Sequence, residues 1–285
     1  MIRLGTRGSA LALWQARWAA ELLGGEVEIV TITTTGDRDR ALPDKEKWVR
    51  ELDAALLRDE IDLAVHSAKD IPGVLADGVA LVAALPREDP RDALVGAASV
   101  DALAPGARVG TSSLRRAGQL LAWRPDLSVV PLRGNVDTRL RKLADGDVDA
   151  AVLAQAGLIR LGHGSVGEPL DALVPAPGQG IVALTARARD AEAGAAAITI
   201  NDAAALTALR AERAIGVALG ADCTTAIGAN ARIVNDELLE LRVVVTAADG
   251  SRVVRDLVDG PVEAPEVLAA SCATRLRAAG VDELL

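Results

Sequence analysis

The regular alternation of short apolar runs with helix-period stretches constrains this chain more than any other feature. IRLG opens as a strand. Ser9 then stands where it can cap the helix ALALWQARWAAELL, in which Leu11, Trp14, Trp18 and Leu22 recur at helical spacing. VEIVTITTT reads as a β-branched strand, Trp48 to Glu60 as a helix, IDLAVHS as a buried-type strand and VALVAAL as another. Strand alternating with helix points to an α/β sheet.

Two segments interrupt the alternation. LPREDPRDALV, at residues 85 to 95, combines two prolines with charges and reads as a crossing into a second α/β unit. There ARVGTSS leads into a helix from Leu114, SVVPLRG into one from about Asn135, and DAAVLA into one near Gly157. VPAPGQG, at residues 174 to 180, reads as a return crossing, and IVALTARA as a strand that rejoins the first sheet. The expectation is an α/β chain with two lobes around a cleft and a small α+β C-terminal domain. Domain 1 is discontinuous, 1–87 and 178–198; domain 2 spans 88–177; domain 3 spans 199–285. The last contains the long helix NDAAALTALRAERAIGVAL, three strand-like runs and the helix APEVLAASCATRLRAAG.

Composition removes several function classes. The 285 residues suit two or three modest domains. A formal net charge of −9 argues against a general nucleic-acid binder, although a local cationic site is compatible with it. No apolar run approaches the roughly 20 residues that cross a bilayer. MIRLGTRGSALALWQ lacks the basic, apolar and cleavage regions of a signal peptide, so the cytoplasm is the expected compartment. Cys223 and Cys272 form no CxxC pair, and His66 and His163 lie far apart, so no metal site is expected. The chain has no Phe and no Tyr, which leaves Leu, Val, Ile and Ala to fill the core.

The polar motifs fall where open α/β folds bind ligands, just past the carboxyl ends of strands. GTRGS brings Arg7 and Ser9. VGTSSLRR brings the hydroxyls and N–H groups of Thr111, Ser112 and Ser113, with Arg115 and Arg116 behind them. LRGNVDTRL supplies Arg133 and Arg139, and Arg160 follows the next strand. Any one of these arginines is ordinary on a surface; their common position suggests recognition of carboxylates. GTRGS lacks the GK[ST] ending of a P-loop, so nucleotide binding is poorly supported. In DLAVHSAKD, Ser67, Lys69 and Asp70 end a buried strand. A carboxylate there can stabilise a developing cation and move a proton, whereas His66 reads as structural. Cys272 fits a packed thiol. Cys223, in the small-residue loop GADCTTAIGA, stays open between packing and chemistry on spacing alone.

In order, GTRGSALALWQA, TTTGD, AVHSAKD, REDPRDALV, VGTSSLRRAGQL, RPDL, LRGNVDTRL, AGLIRLG, PGQG, AERA and the loop cysteine resemble hydroxymethylbilane synthase (porphobilinogen deaminase) over nearly the whole chain. The resemblance implies three domains, the first two forming a cleft like that of periplasmic binding proteins. It implies a monomeric transferase that joins four porphobilinogen units head to tail, releases ammonia at each step and hydrolyses the product free as hydroxymethylbilane. It implies a dipyrromethane cofactor held by a thioether on Cys223, and Asp70 as the catalytic carboxylate. Lys69, Ser67, Thr111, Ser113, Arg115, Arg116, Arg133 and Arg139 would hold the cofactor. Arg7, Ser9, Arg160, Gln179 and Lys45 would hold substrate. The chain departs from the family pattern at Trp48, at Asp222 before the cysteine and at Ala226 after it. A non-catalytic binder of carboxylated molecules is the alternative reading.

Overall fold

A computed structural model describes residues 1–34, 49–222 and 224–285. They divide into two compact units, residues 1–88 with 181–209, and residues 89–180 with 210–285.

The first unit is built on a five-stranded sheet of order β2-β1-β3-β10-β4. Its strands are β1 (Ile2–Thr6), β2 (Val27–Thr31), β3 (Leu63–Ser67), β4 (Val79–Ala84) and β10 (Val182–Arg187). β1 runs parallel to β2 and β3, and β10 lies antiparallel between β3 and β4. IVALTARA thus does join the first sheet. Helix α1 (Ala10–Leu23) starts at Ser9, whose side chain accepts from the Ala12 N–H, and ends at Gly24, where φ is +63°. The sequence suggests a stripe of Leu11, Trp14, Trp18 and Leu22. In the structure Gln15, Ala16 and Ala19 are the buried residues, while Leu22 is exposed. Small residues let the helix lie close to β1 and β3, and Trp18 packs against the core from the side. Helix α2 (Arg50–Leu57) buries Leu52, Ala55 and Leu56 against Ile61 and Val79.

The second unit contains two sheets. The five-stranded one has the order β7-β6-β8-β5-β9. Its strands are β5 (Asp92–Val95), β6 (Arg108–Gly110), β7 (Ser128–Val130), β8 (Ala150–Ala154) and β9 (Gly167–Leu170). β6, β7 and β8 are mutually parallel, and β5 pairs antiparallel with β8 and β9. The sequence pattern places DALV in the crossing segment. It is instead a fully buried strand, because Ala93, Leu94 and Val95 fill both faces of the sheet. Each parallel strand leads into a helix: α3 (Leu114–Trp123), α4 (Val136–Ala144) and α5 (Gln155–Arg160). The other sheet is the antiparallel meander β11 (Ile227–Asn235), β12 (Leu238–Thr246) and β13 (Val253–Pro261). In chain order α6 (Ala191–Ile198), which belongs to the first unit, and the long α7 (Ala203–Leu219) come before this meander, and α8 (Pro265–Ala278) follows it, with Leu268, Cys272 and Leu276 buried. The fold class is α/β, with two five-stranded mixed sheets and a small α+β C-terminal region. No helix among the described residues is long and apolar enough to cross a membrane.

Candidate functional site

In the first unit the carboxyl ends of β1 and β3 lie side by side, because Leu4 and Gly5 pair with Leu63 and Ala64. That register gathers Arg7, Ser9, Ser67 and Asp70 around one small depression, with Gln15 also on its wall. β3 runs directly into a 3₁₀ turn, Ala68–Asp70, whose backbone is held by Ala68 N–H donating to Ile181 O at 3.0 Å. This turn sets Lys69 and Asp70, both half-buried, two and three residues beyond the end of β3. Gln15 is buried on α1. Its Nε2 donates to Ser67 Oγ at 2.9 Å, and Ser67 Oγ lies 3.2 Å from Gln15 Oε1. Gln15 therefore fixes the Ser67 hydroxyl. Its sequence signal is a polar residue on the apolar side of an N-terminal helix. His66 points to the opposite side of the strand and sits 2.9 Å from Thr185 Oγ1 in the core, as its alternation with Ser67 predicts.

In the second unit the carboxyl ends of β6, β7 and β8 form the corresponding edge. Gly110 pairs with both Val130 and Ala151, so the loops after all three strands are neighbours. Ser113 and Asn135 cap α3 and α4 by accepting from Arg116 N–H and Thr138 N–H. Thr111 Oγ1 accepts from Ser113 N–H at 3.2 Å. Arg133 is exposed in the loop before α4, and Arg139 is half-buried one turn into that helix. Gly110 leaves room for this turn, since a Cβ there would lie 2.8 Å from Leu132 Cδ2.

Behind this edge Asp92, the first residue of β5, is fully buried. Arg115 Nη1 and Nη2 reach it at 2.6 and 3.2 Å, and Arg116 Nε and Nη2 at 2.9 and 2.7 Å. Gln179 Nε2 adds a bond of 2.8 Å and also donates to Pro90 O. Burial alone would raise the Asp92 pKa. The two guanidiniums overcome it and hold the carboxyl far below the ordinary carboxylate range. Burial lowers the pKa of Arg116. Two buried guanidiniums thus face one buried carboxylate, which leaves the cluster with an excess positive charge. Arg115 Nε, also buried, has no acceptor among the described residues. Arg160 is buried near the same edge and donates from Nη2 to Gly180 O at 2.7 Å.

The family resemblance implies direct ligand contact for Arg115, Arg116 and Gln179. The structure gives their first polar contacts to Asp92 and backbone carbonyls, because a buried charge must be compensated locally. Asp92 was read only as part of a crossing. An acid at the head of an apolar strand, with two consecutive arginines elsewhere, is the signal that could have found it. Glu212 was likewise missed. It is fully buried on α7, where Oε2 accepts from Gly178 N–H at 2.6 Å and Oε1 from Ala231 N–H at 2.6 Å. It therefore ties the loop carrying Gln179 to β11.

Cys223 and Lys45 lie outside the described residues, as does Trp48. The residues flanking Cys223 are described. Asp222 Oδ1 accepts from the N–H and Oγ1 of Thr224, at 2.7 Å each, and from Thr225 N–H at 3.1 Å. These bonds, the Thr224 hydroxyl first, lower the Asp222 pKa, so it is ionised at neutral pH. Ala226 is buried, and its carbonyl accepts from Thr246 N–H at 3.2 Å.

Fold and site together define an α/β protein with guanidinium, hydroxyl and backbone N–H donors at strand ends and a carboxylate at Asp70. A family model described as porphobilinogen deaminase, dipyromethane cofactor binding domain, matches residues 2–195, and one for the porphobilinogen deaminase C-terminal domain matches residues 206–278. The porphobilinogen deaminase of Roseiflexus sp. (strain RS-1) is 47% identical over 99% of this chain and 97% of its own length. That of Geobacter sulfurreducens is 42% identical over 100% and 93%. Among solved structures, the VFT2 domain of Bordetella pertussis BvgS is similar with a TM-score of 0.41 and 19% identity, over 70% of this chain and 85% of that one. The chain belongs to the porphobilinogen deaminase family.

Proposed function

We propose that this chain carries out its family's reaction with Asp70 as the catalytic carboxylate and Cys223 as the attachment point of the cofactor. The activity is that of hydroxymethylbilane synthase, a transferase of tetrapyrrole biosynthesis, and the cofactor is dipyrromethane. The substrate of the family is porphobilinogen.

The donor set of the second unit fits such a cofactor. Dipyrromethane carries acetate and propionate groups, and the edge offers the Thr111 and Ser113 hydroxyls and the exposed Arg133, with Arg139 beside them. The excess positive charge of the Asp92 cluster just behind this edge is the observation that carries this reading. A buried cationic excess is relieved by an anion, and a planar guanidinium suits a carboxylate. When bound, dipyrromethane supplies the anchored pyrrole end to which substrate units are joined. Ser67, held by Gln15, together with Arg7, Ser9 and Lys69, would orient substrate carboxylates in the first unit. Arg160 and Lys45 complete the proposed substrate contacts, and Gln179 would act through Asp92, which its amide holds.

Loss of ammonia from the aminomethyl carbon of porphobilinogen leaves a cation conjugated with the pyrrole ring. The Asp70 carboxylate would oppose that charge and accept the ring proton lost after C–C bond formation. A covalent anchor keeps the growing chain effectively intramolecular between additions. The same reading includes three domains, 1–87 with 178–198, 88–177 and 199–285, each with one of the three sheets; a monomer; and a cytoplasmic location. Intact-protein mass spectrometry in denaturant tests the anchor. Incubation with porphobilinogen should add the mass of two pyrrole units, and Cys223→Ser should lose it. A bare Cys223 thiol with no ammonia released would overturn the proposal.

A further inference from the structure

Within the second unit, a cavity of about 640 Å³ lies between α3 and the sheet β11–β13. Its shape follows from two glycines. A Cβ on Gly118 would lie 2.1 Å from Thr246 Oγ1 and 2.5 Å from Ala247 O. A Cβ on Gly250, whose φ is +74°, would lie 2.3 Å from Ala122 N. Helix and hairpin therefore touch backbone to backbone at the β12–β13 turn. Further along, Arg242 pairs with Leu257 and Val244 with Arg255, so these four side chains share the face that lines the cavity. Valine and alanine are too short to close the gap, and the space stays open beside Trp123 and Leu257, both exposed.

The charges around this space are unbalanced. Asp256 is engaged by Arg275 at 2.7 Å. Arg242 donates to the carbonyls of Asp171 and Leu173. Arg255 has no carboxylate partner among the described residues. An open cavity of this volume, lined by valines, alanines and the exposed Arg255, has the features of a small-molecule site. We propose that it binds a small aromatic carboxylate, its ring against Val244, Leu257 and Trp123 and its carboxylate on Arg255. Ligand volume and charge both favour this occupant: the ring fills apolar space, and its single anion matches the Arg255 guanidinium. The bound ring would also touch Gln119, whose Nε2 donates to Arg115 O at 3.2 Å and to Val174 O at 3.1 Å. This site is separate from the strand-end residues assigned above.

The test is calorimetric titration of the cofactor-loaded protein with 2-naphthoate, its neutral amide and 2-naphthylmethylammonium. Naphthoate should bind with a dissociation constant below about 1 mM, and the amide about tenfold or more weaker. Arg255→Glu should reverse the order, losing naphthoate and gaining the cation, while melting temperature and turnover stay as in the parent. Trp123→Ala should weaken both ligands. Naphthoate binding that Arg255→Glu leaves unchanged, or no saturable binding, would overturn the site. So would a concentration-dependent dimer that Arg255→Glu dissociates, because the face would then belong to a second copy of the chain.

Discussion

At Asp70, one turn of 3₁₀ helix separates a carboxylate from a strand-end hydroxyl that Gln15 already holds. Asp70→Asn keeps the shape and removes the charge. It should preserve melting temperature and the loaded cofactor mass, and lower turnover by about a hundredfold or more; near-normal turnover removes Asp70 from its role. Cys272 provides the contrast. It is fully buried, and burial, with Asp256 adding to it, pushes its thiol up to about 12. Native protein treated with iodoacetamide at neutral pH should therefore remain unalkylated at Cys272 and react there only after denaturation. Peptide mapping reads the outcome, and rapid native labelling of Cys272 would contradict its packing. Asp70 was legible in the sequence because a charged pair ended an apolar strand. Asp92 and Glu212 were not, because an acid among neighbouring charges, as in REDPRD and LRAER, does not reveal which distant donors meet it. Arg115 lies 23 residues from Asp92, and Ala231 lies 19 from Glu212.

Among the elements, the strand-to-helix turns of the second unit were legible because Ser113 and Asn135 are strong capping types placed just after β-branched runs. β5 was hidden by the prolines that precede it, and β9 by Pro169 within an edge strand. The α1 stripe was misread for a different reason. Trp and Leu at helical spacing marked an amphipathic helix, but the face closest to the sheet is the alanine face, since only small side chains permit that approach. Close approach also governs α3. Gly118→Ala forces a methyl into Thr246 and the Ala247 carbonyl, where backbone leaves no room to yield. The variant should lose about 1–3 kcal/mol in urea unfolding despite the better helix propensity of alanine. Gly216→Ala, also in a helix but with open space around its Cβ, is the control and should be neutral or stabilising. Equal effects at the two sites would remove the backbone contact as the reason for Gly118.

Across the whole molecule, acid sensitivity follows from how carboxylates are used. Asp62 and Asp89 are half-buried, and each has its pKa lowered chiefly by hydrogen bonds from an arginine, Arg3 and Arg91 respectively. Asp92 is the extreme case, held by two arginines in the core. A carboxyl whose folded pKa lies below its unfolded value of about 3.9 contributes stability that is fully present above that pH and is lost as pH falls toward the folded pKa. Asp92→Asn removes this contribution and leaves two buried guanidiniums without a carboxylate, a loss of about 3–5 kcal/mol at neutral pH. Asn does not titrate, so the variant lacks this part of the acid limb. The stability gap between parent and variant should be constant from pH 7 to about pH 4. It should then narrow by about 1.4 kcal/mol per pH unit, while the loss shared through Asp62 and Asp89 cancels in the difference. Urea unfolding at pH 7, 4 and 3 measures the gap directly. A gap of the same size at pH 7 and pH 3 would mean that Asp92 is not the ionised partner of Arg115 and Arg116. The cationic excess would then be larger than one charge, and the cofactor's carboxylates would have to balance both arginines.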